Sequence, residues 1–315
     1  MIRAETALGL DALPRLGPVA LTMGVFDGVH RGHQAVLAQL VDGAAAAEVT
    51  SVALVFEPHP DEVLRPGVRV PRLAPTARSR AWIGDCGVDW APLVRFDDEL
   101  RALSAEAFIA HLAPAVELQI LVMCEGTAFG RGRGGTVPRM RELGRENGFS
   151  VLTVPPLVVE GAPLSSTRIR GLIAAGDLAA AAALLGRPAF LEGRVVSGDR
   201  RGRGLGFPTA NLAFDYLPAL APLGIYLGEV SVSERGVGPR HPALVSIGVR
   251  PTFHAQGATL VEVYLLDWDG DLYGTRLQLS LLRRIREERR FADADALVAQ
   301  MRLDEEEARR LLAGD

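Results

Sequence analysis

The spacing of the apolar residues changes near residue 186, and this change divides the chain into two differently built parts. Before it, short apolar runs alternate with helical stretches, a pattern typical of a parallel sheet covered by helices. After it, apolar and polar residues alternate with period two, as in 277–281, between turns rich in Gly and Pro. We therefore predict an α/β protein with a Rossmann-like domain over 1–186 and a small antiparallel β-barrel with terminal helices over 187–315.

The first domain is predicted to contain five strands, each with a helix nearby. The strands are expected at 19–23, 52–56, 91–96, 118–123 and 149–154, and the helices at 31–47, 76–86, 104–112 and 137–147. A helix-rich stretch, 167–185, ends at a break marked by Gly186 and Pro188. Ser104 is followed three residues later by Ala107 rather than Glu, so only a partial cap is predicted there. The second domain ends in a helix over 294–313 that is expected to pack on the barrel.

The composition excludes several classes of function. The chain contains no lysine, so all 34 of its basic residues are arginine. This excludes a P-loop, the usual kinase strand lysine and Schiff-base chemistry. The formal net charge of -4 is not that of a typical nucleic-acid-binding protein. The chain has two cysteines, which are too few for a disulfide framework or a four-thiolate zinc site. No apolar run reaches membrane-spanning length, so we expect a cytoplasmic protein that binds neither nucleic acid nor membrane, with a weak homo-oligomer left open.

The first predicted strand leads through a glycine-containing turn directly into a helix. His30 and His33 are three residues apart and therefore share one side of the first helical turn, while Gly28 leaves room for a ligand. The free N–H groups of such a helix start bind anions. Two imidazoles there can hydrogen-bond the phosphates of a nucleotide and stabilise charge during attack on the α-phosphorus. The alternative is a pair of surface histidines in a turn.

A second segment before a predicted helix also suits a phosphate. It contains three hydroxyl side chains and two guanidinium groups: Ser165, Ser166, Thr167, Arg168 and Arg170. Hydroxyls alone are good helix caps, which is the simpler explanation. The two arginines favour a phosphate-binding pocket instead.

The segment 198–211 combines closely spaced glycines with two oxygen ligands. It is not a dinucleotide-binding fingerprint, because Pro208 and a short strand follow where that motif has a helix. Its backbone can cradle phosphates, and Thr209 and Asn211 point to the same face of an extended segment. Their oxygens are suitable ligands for Mg²⁺, which takes its other ligands from water and the nucleotide. The alternative is an arginine-rich turn in which both side chains satisfy backbone groups.

Glu262 is a carboxylate inside the apolar run 260–265. Taken alone, it is most simply a solvent-facing strand residue. A general base needs only a positioned carboxylate, so a catalytic role stays open at this point.

Several of these motifs occur together in one known family. The chain resembles the bacterial bifunctional riboflavin kinase/FAD synthetase family from about residue 17 to 312. The residues that carry the resemblance are His30-x-Gly-His33, Phe56-Glu57-Pro58-His59-Pro60, Ser165-Ser166-Thr167-x-Ile169-Arg170 and Pro208-Thr209-Ala210-Asn211. The resemblance implies an N-terminal FMN adenylyltransferase domain over 1–186 and a C-terminal riboflavin kinase domain over 187–315.

The resemblance also implies roles for individual residues. Glu262 would be the general base of the kinase, and His30 and His33 would act in adenylyl transfer. Thr209 and Asn211 would hold Mg²⁺, with ATP as co-substrate. Arg286 and Phe291 would border the flavin, although a solvated, charged helix start is another explanation for that segment. The implied nucleotide-binding residues are Gly24, Phe26, Asp27, Gly28, Ser165, Ser166, Thr167, Arg168, Arg170, Gly198, Gly204, Gly206 and Pro208.

Some positions depart from the family pattern. The family usually has Asn at the position of Val25, a polar residue at Gly126 and an aromatic ring at Thr127, and Asn where Ser246 stands. Losing one hydrogen bond to a charged ligand costs about 1.5 to 3 kcal/mol, which would weaken adenylyl transfer. Three alternatives follow: a kinase with a weakened or inactive adenylyltransferase domain, transfer to a different phosphate acceptor, and a non-catalytic flavin- or nucleotide-binding regulator. The expected small molecules are riboflavin, FMN, FAD and ATP.

Overall fold

The computed structural model describes residues 7–198, 206–232, 239–249 and 259–314. By its internal contacts the chain divides into an N-terminal unit, Met1–Val70 with Pro75–Ser166, and a C-terminal unit, Pro71–Ala74 with Thr167–Asp315. The division falls near residue 166, whereas the domain boundary predicted from the sequence is at 186. That predicted boundary stays a prediction, and residues 167–186 are described here with the C-terminal unit.

The N-terminal unit is built on a five-stranded parallel sheet. Its strand order is β3-β2-β1-β4-β7, so the order reverses at β1, which lies between β2 and β4. The strands of this sheet are β1 (Gly17–Gly24), β2 (Thr50–Glu57), β3 (Leu93–Arg95), β4 (Val116–Cys124) and β7 (Ser150–Val154). The predicted Rossmann-like architecture is therefore confirmed, with β3 shorter than predicted.

Helices cover both faces of this sheet. They are α1 (Arg31–Ala46), α2 (Pro60–Leu64), α3 (Thr76–Asp85), α4 (Asp98–Ala102), α5 (Ala105–Leu112) and α6 (Val137–Asn147). Two short two-stranded sheets accompany them, β5 (Ala128–Phe129) with β6 (Gly135–Thr136) and β8 (Val158–Val159) with β9 (Ala162–Pro163). Ser104 caps α5 by accepting a hydrogen bond from the N–H of Ala107 at 3.2 Å, which is the partial cap that the sequence predicts.

Alternate side chains of the central strands enter two separate cores. On β1, Leu21 joins a cluster with Phe108 and Met140, while Ala20 joins a cluster with Leu37 and Leu40 of α1. Both faces of a parallel sheet are buried by helices, which explains why its strands read as nearly continuous apolar runs. The carboxyl ends of the strands form the edge at which α/β sheets commonly bind ligands.

The C-terminal unit contains a closed six-stranded antiparallel barrel. Its order is β10-β11-β14-β13-β12-β15, with β15 pairing back to β10. The strands are β10 (Ala189–Val196), β11 (Ala210–Ala213), β12 (Gly224–Ser231), β13 (Arg240–Val249), β14 (Thr259–Leu265) and β15 (Arg276–Glu287). Val261, Val263 and Ile247 are among the side chains buried in its interior. The predicted barrel is confirmed.

Three helices complete this unit. The helix-rich stretch is two helices, α7 (Ser166–Ala175) and α8 (Leu178–Leu185), separated by Gly176, whose φ of +83° ends the first. The C-terminal helix (Ala294–Ala313) lies against the outer surface of the barrel, where Ala308 packs in a cluster with Leu244 and Leu266. The predicted packing of this helix on the barrel is therefore confirmed.

A buried ion pair joins the end of β15 to the C-terminal helix. The Arg286 guanidinium donates to both carboxylate oxygens of Asp304 at 2.7 to 3.0 Å, and the Asp304 side chain is only 3% exposed. Gln300 also donates to this carboxylate at 2.9 Å. The Phe291 ring centroid lies 5.7 Å from the guanidinium carbon. Arg286 thus lies in strand β15 and its side chain is paired with a buried carboxylate. For this residue, the interpretation as part of a solvated helix start is wrong.

We expect Asp304→Asn to lower the free energy of unfolding by about 2 kcal/mol, because the buried guanidinium loses its charged acceptor. Chemical denaturation followed by circular dichroism measures this loss. Glu307→Gln is the matched control on the same helix, since Glu307 pairs with Arg310 on the surface and its removal should leave the midpoint almost unchanged. Equal destabilisation by both variants would contradict the structural role assigned to the buried pair.

Candidate active sites

The turn between β1 and α1 has an unusual backbone. Phe26, Gly28 and Val29 all adopt positive φ, at 51°, 72° and 39°. A β-branched residue rarely occupies this region, and such strain is typical of functional turns. The turn is held by a hydrogen bond from the N–H of Gly28 to Ser79 Oγ at 3.3 Å.

The two predicted histidines are in direct contact at the start of α1. Their rings stack with centroids 3.6 Å apart and planes inclined by 15°. His30 is 4% exposed, and its Nδ1 caps the helix by accepting the His33 N–H at 3.2 Å. The edge of Phe26 lies against His33 with ring centroids 5.2 Å apart. The sequence and local packing therefore fix both imidazoles at a helix N-terminus.

The second predicted phosphate-binding segment begins at this same turn. Ser166 Oγ donates to the backbone oxygen of Asp27 at 3.1 Å, although the two residues are 139 positions apart in sequence. Ser165 precedes it directly, and Thr167, Arg168 and Arg170 follow in α7. Within α7, Arg170 donates to Thr167 Oγ1 at 3.0 Å. The structure thus brings Ser166 to the turn that carries the histidines, while the phosphate-binding roles of the residues after it stay predictions.

The predicted nucleotide-binding residues around this turn differ in exposure. Gly24 is half-buried, and a side chain there would lie 3.3 Å from the Phe26 ring. Asp27 and Phe26 are each 3% exposed, and Phe26 belongs to the core that packs against α1. Phe26 therefore contacts the His33 ring from within the core.

An aromatic cleft, which the sequence did not predict, lies near the carboxyl ends of the same sheet. It encloses about 560 Å³ and contains two edge-to-face ring pairs, Phe56 with Phe96 and Phe108 with Phe129, with centroids 5.6 and 5.2 Å apart. The polar side chains in its wall are Asp61, Arg101, Arg131 and Arg133. We call this the aromatic cleft. In the sequence, the cleft could have been inferred from Phe56 and Phe96, which are the last residues of two predicted strands.

Two departures from the family pattern lie in the turn after β4. Gly126 has a φ of +75°, and the Thr127 hydroxyl donates to the backbone oxygen of Cys124 at 2.6 Å. Both residues are exposed, and in the part of the chain that the structure describes neither lines the aromatic cleft. Thr127, where the family pattern has an aromatic ring, therefore lies outside the wall of the aromatic cleft.

The barrel aligns the predicted kinase residues across three neighbouring strands. Glu262 on β14 is the register partner of Asn211 on β11 and of Ser246 on β13. The Thr209 hydroxyl lies 3.4 Å from a Glu262 carboxylate oxygen, within donating distance. The neighbours Val261 and Val263 are buried in the barrel, so Glu262 lies on its outer face. Thr209, Asn211 and Glu262 therefore form one oxygen-rich cluster.

Gly198 has a specific steric role beside this cluster. A Cβ at this position would lie 2.7 Å from Asn211 Cγ and 3.1 Å from its Oδ1, so any side chain would displace the amide. The structure thus places Gly198 against a predicted metal ligand. Gly206 adopts a φ of +86°, and Gly204 lies outside the described residues.

A second cavity of about 600 Å³ opens beside the same cluster. Pro208 and Thr209 form one wall, and the loop after β14 forms the other with Trp268, Asp269, Asp271 and Tyr273. This loop was not predicted as part of a site. Trp268 and Tyr273, two aromatic residues in a short turn rich in Gly and Asp, could have indicated a binding loop in the sequence. The cavity size is within the range of small-molecule sites.

Tyr264 supports the outer face that carries Glu262. Its ring packs edge-on against Phe207 with centroids 5.3 Å apart. Burial, with a smaller contribution from the nearby Glu305, raises the pKa of the Tyr264 phenol. Phe207 directly precedes Pro208 and Thr209, so its contact with Tyr264 holds this segment beside β14.

Comparison with known proteins identifies the family. The family model described as FAD synthetase matches residues 14–168, and the one described as riboflavin kinase matches 185–312. A bifunctional riboflavin kinase/FMN adenylyltransferase of Pseudomonas fluorescens is 40% identical over 294 residues, covering 93% of this chain and 92% of its own. The chain belongs to the bifunctional riboflavin kinase/FMN adenylyltransferase family. The Escherichia coli K12 member is 37% identical over 302 residues, 95% of this chain and 94% of that protein.

Membership of this family confirms the predicted enzyme class. Both catalytic domains are matched in one chain, and none of these findings favours a kinase alone or a non-catalytic regulator. A crystal structure from Streptococcus pneumoniae, named a macrolide-efflux protein, superimposes with a TM-score of 0.85 at 29% identity, covering 96% of this chain and 97% of that one. Among the described residues of this transferase, no helix combines the length and hydropathy that a bilayer crossing requires.

Proposed function

We propose that the enzyme phosphorylates riboflavin with ATP at the barrel and joins the resulting FMN to the AMP part of ATP in the N-terminal unit, releasing pyrophosphate. The kinase half is supported by the Thr209–Asn211–Glu262 cluster on the outer face of the barrel. The adenylyltransferase half is supported by the stacked His30 and His33 at the start of α1. Each half has a cavity of small-molecule size.

In adenylyl transfer, the first turn of α1 receives the phosphates of ATP. The two imidazoles donate hydrogen bonds to phosphate oxygens, and the positive end of the helix dipole favours the negative charge of the phosphates. Charge accumulates on these oxygens as the FMN phosphate attacks the α-phosphorus, and donors fixed beforehand stabilise it without reorganising. Ser165 and Ser166 add hydroxyls, and the phosphate-binding roles of Thr167, Arg168 and Arg170 stay predictions from the sequence. The reaction needs no covalent enzyme intermediate.

The aromatic cleft is assigned to the flavin ring of FMN. A flat, apolar ring system gains most from burial between aromatic faces and edges, which four phenylalanines provide. Phe56 lies near the end of β2, and Phe129 lies in β5, a few residues after the end of β4. The strands β2 and β4 flank β1 in the sheet. The sheet order reverses at β1, and α/β proteins commonly bind ligands at such a point.

In the kinase, Glu262 takes the proton from the terminal ribityl hydroxyl as that oxygen attacks the γ-phosphorus, and the bond from the γ-phosphorus to the bridging oxygen breaks to release ADP. Thr209 and Asn211 present neutral oxygens, which suit Mg²⁺, and Gly198 leaves the room that the Asn211 amide needs. The metal would neutralise phosphate charge when bound. The cavity with Trp268 and Tyr273 is assigned to the nucleotide, with Gly206 and Pro208 in the loop that borders it.

Labelled ATP tests both transfers separately. With riboflavin as acceptor, phosphorus from the γ-position should enter FMN. With unlabelled FMN as acceptor, phosphorus from the α-position should enter FAD, and pyrophosphate should be released. Failure of the α-label to enter FAD would overturn the adenylyltransferase half, and failure of the γ-label to enter FMN would overturn the kinase half.

We expect Phe129→Ala to raise the KM for FMN in FAD formation by severalfold to about tenfold, because an aromatic contact of about 0.5 to 1.5 kcal/mol is lost. Riboflavin phosphorylation by the same protein is the internal control and should keep its KM. Initial rates at varied FMN measure the effect. An unchanged KM for FMN would contradict the assignment of the aromatic cleft.

We further propose that the enzyme works in the cytoplasm. Cys86 and Cys124 are half-buried and form no disulfide with each other, as suits a reducing compartment. Its substrate ATP is abundant there. Expression of the tagged protein followed by cell fractionation tests the location.

A further inference from the structure

We propose that Arg131 and Arg133 select the phosphorylated flavin as the adenylyl acceptor by binding its phosphate at the mouth of the aromatic cleft. This inference rests on the proposed function of that cleft as the flavin site. It assigns the preference for FMN over riboflavin to Arg131 and Arg133 rather than to the phenylalanines of the aromatic cleft.

The loop that carries both arginines is fixed by its backbone. It joins β5 to β6, and the N–H of Arg131 donates to the backbone oxygen of Leu103 at 2.7 Å. Gly130 has a φ of +71°, and a Cβ there would lie 3.1 Å from the backbone nitrogen of Ala105 and 3.2 Å from the Leu103 oxygen. The loop is therefore packed tightly against the start of α5. Its position leaves Arg131 and Arg133 lining the same cleft as Phe129.

Within the part of the chain that the structure describes, the two guanidinium groups have no carboxylate within 4.0 Å. Both residues are exposed, and among residues 7–198, 206–232, 239–249 and 259–314 no ion pair within 4.0 Å involves either. By contrast, Arg101 in the same wall pairs with Asp98 at 3.1 Å, and Asp61 pairs with Arg65 at 3.7 Å. Two positive charges without a carboxylate partner at the edge of an apolar cleft attract an anion.

The backbone of the loop is also strained at Arg133. Its φ of +59° is a conformation that side chains other than Gly, Asn and Asp rarely adopt. A glycine would remove this strain, and glycines occupy the positions on both sides, Gly132 and Gly134. A charged residue kept in a strained position is typical of a ligand-binding turn.

The chemistry of the two flavins requires a charged element for discrimination. Riboflavin and FMN share the ring that the four phenylalanines contact, so these side chains bind both alike. FMN adds a phosphate of about -1.5 to -2 charge at neutral pH, with oxygens that match the fork of a guanidinium. Positive charge beside that phosphate also reduces its repulsion from the triphosphate that it must approach.

The test compares a charged flavin with an uncharged one. Arg131→Gln and Arg133→Gln are combined, and the KM for FMN in FAD formation is measured. Binding of the uncharged flavin is measured as the inhibition constant of a riboflavin analogue that lacks the terminal ribityl hydroxyl and so cannot be phosphorylated. We expect the KM for FMN to rise about 10- to 100-fold, while the inhibition constant of the analogue changes less than about twofold. Arg145→Gln, on the exposed side of α6, is the control for removal of an exposed arginine outside the cleft and should change neither.

Other results would overturn the proposal. An unchanged KM for FMN would show that the arginines do not bind the phosphate. Equal rises in the KM and in the inhibition constant would show that they shape the ring site instead, which leaves the cleft assignment intact. A wild-type enzyme that forms no FAD would remove the proposed adenylyl transfer and this inference together, and the wild-type assay run in parallel separates that case.

Discussion

Glu262→Gln should lower the rate of riboflavin phosphorylation by about 100- to 10,000-fold, the usual contribution of a general base. Gln is nearly the same size as Glu and keeps a hydrogen-bonding oxygen near the Thr209 hydroxyl, but it cannot accept the proton of the ribityl hydroxyl. FAD formation from supplied FMN should be unchanged, because that reaction is assigned to the N-terminal unit. Initial rates of both reactions with the same protein preparation measure the two effects.

Glu229→Gln is the matched control for this variant. Glu229 is also a glutamate on a barrel strand, but it pairs with Arg240 at 3.2 Å rather than with the oxygen-rich cluster. Its replacement should leave riboflavin phosphorylation within about twofold of the wild type, as expected for a surface pair. If Glu262→Gln retained most of the kinase rate, Glu262 would be a solvent-facing strand residue and the base would lie elsewhere.

The second large effect concerns the stacked histidines. We expect His30→Asn to lower FAD formation by about 100- to 1,000-fold, because a fixed donor to the phosphates is lost. Asn is chosen because its side chain can still cap α1 by accepting the N–H of His33, as the His30 ring does. The loss should therefore appear in kcat for adenylyl transfer with little change in the melting temperature. Riboflavin phosphorylation should not change.

His111→Asn serves as the control for histidine removal. His111 is exposed on α5, and its Nδ1 lies 2.7 Å from the backbone oxygen of Ala107 in the same helix. Adenylyl transfer should be unaffected by this substitution. A His30→Asn enzyme with wild-type FAD formation would return the pair to the alternative of two turn histidines without a catalytic role.

The sequence predicts the long elements of the fold well. The helices predicted at 137–147 and 294–313 have those bounds in the structure, because an apolar stripe repeated over several turns is a strong signal. The helices α2 and α4 were missed, since each has five residues and no periodicity can develop over one turn. The strand β3 was predicted too long because it lies at the sheet edge and only three of its residues pair with β2.

The sites were predictable where their residues are close in sequence. His30 and His33 lie in one helical turn, so their contact follows from their spacing. The pairing of Glu262 with Asn211 depends on strand register, which the period-two pattern does not determine. The aromatic cleft was missed because its four rings come from four separate elements. Arg286 was assigned to the flavin, whereas its contacts in the structure are with Asp304 and Phe291, so its flavin contact stays a prediction.

The most direct test of two activities in one chain is a time course with the purified protein. The protein is incubated with riboflavin, ATP and Mg²⁺, and the flavins are separated by chromatography at successive times. The proposed function predicts that FMN appears first and FAD follows at its expense. FMN that accumulates without any FAD would contradict the proposed adenylyl transfer, and the absence of both products would contradict the assignment of the two active sites.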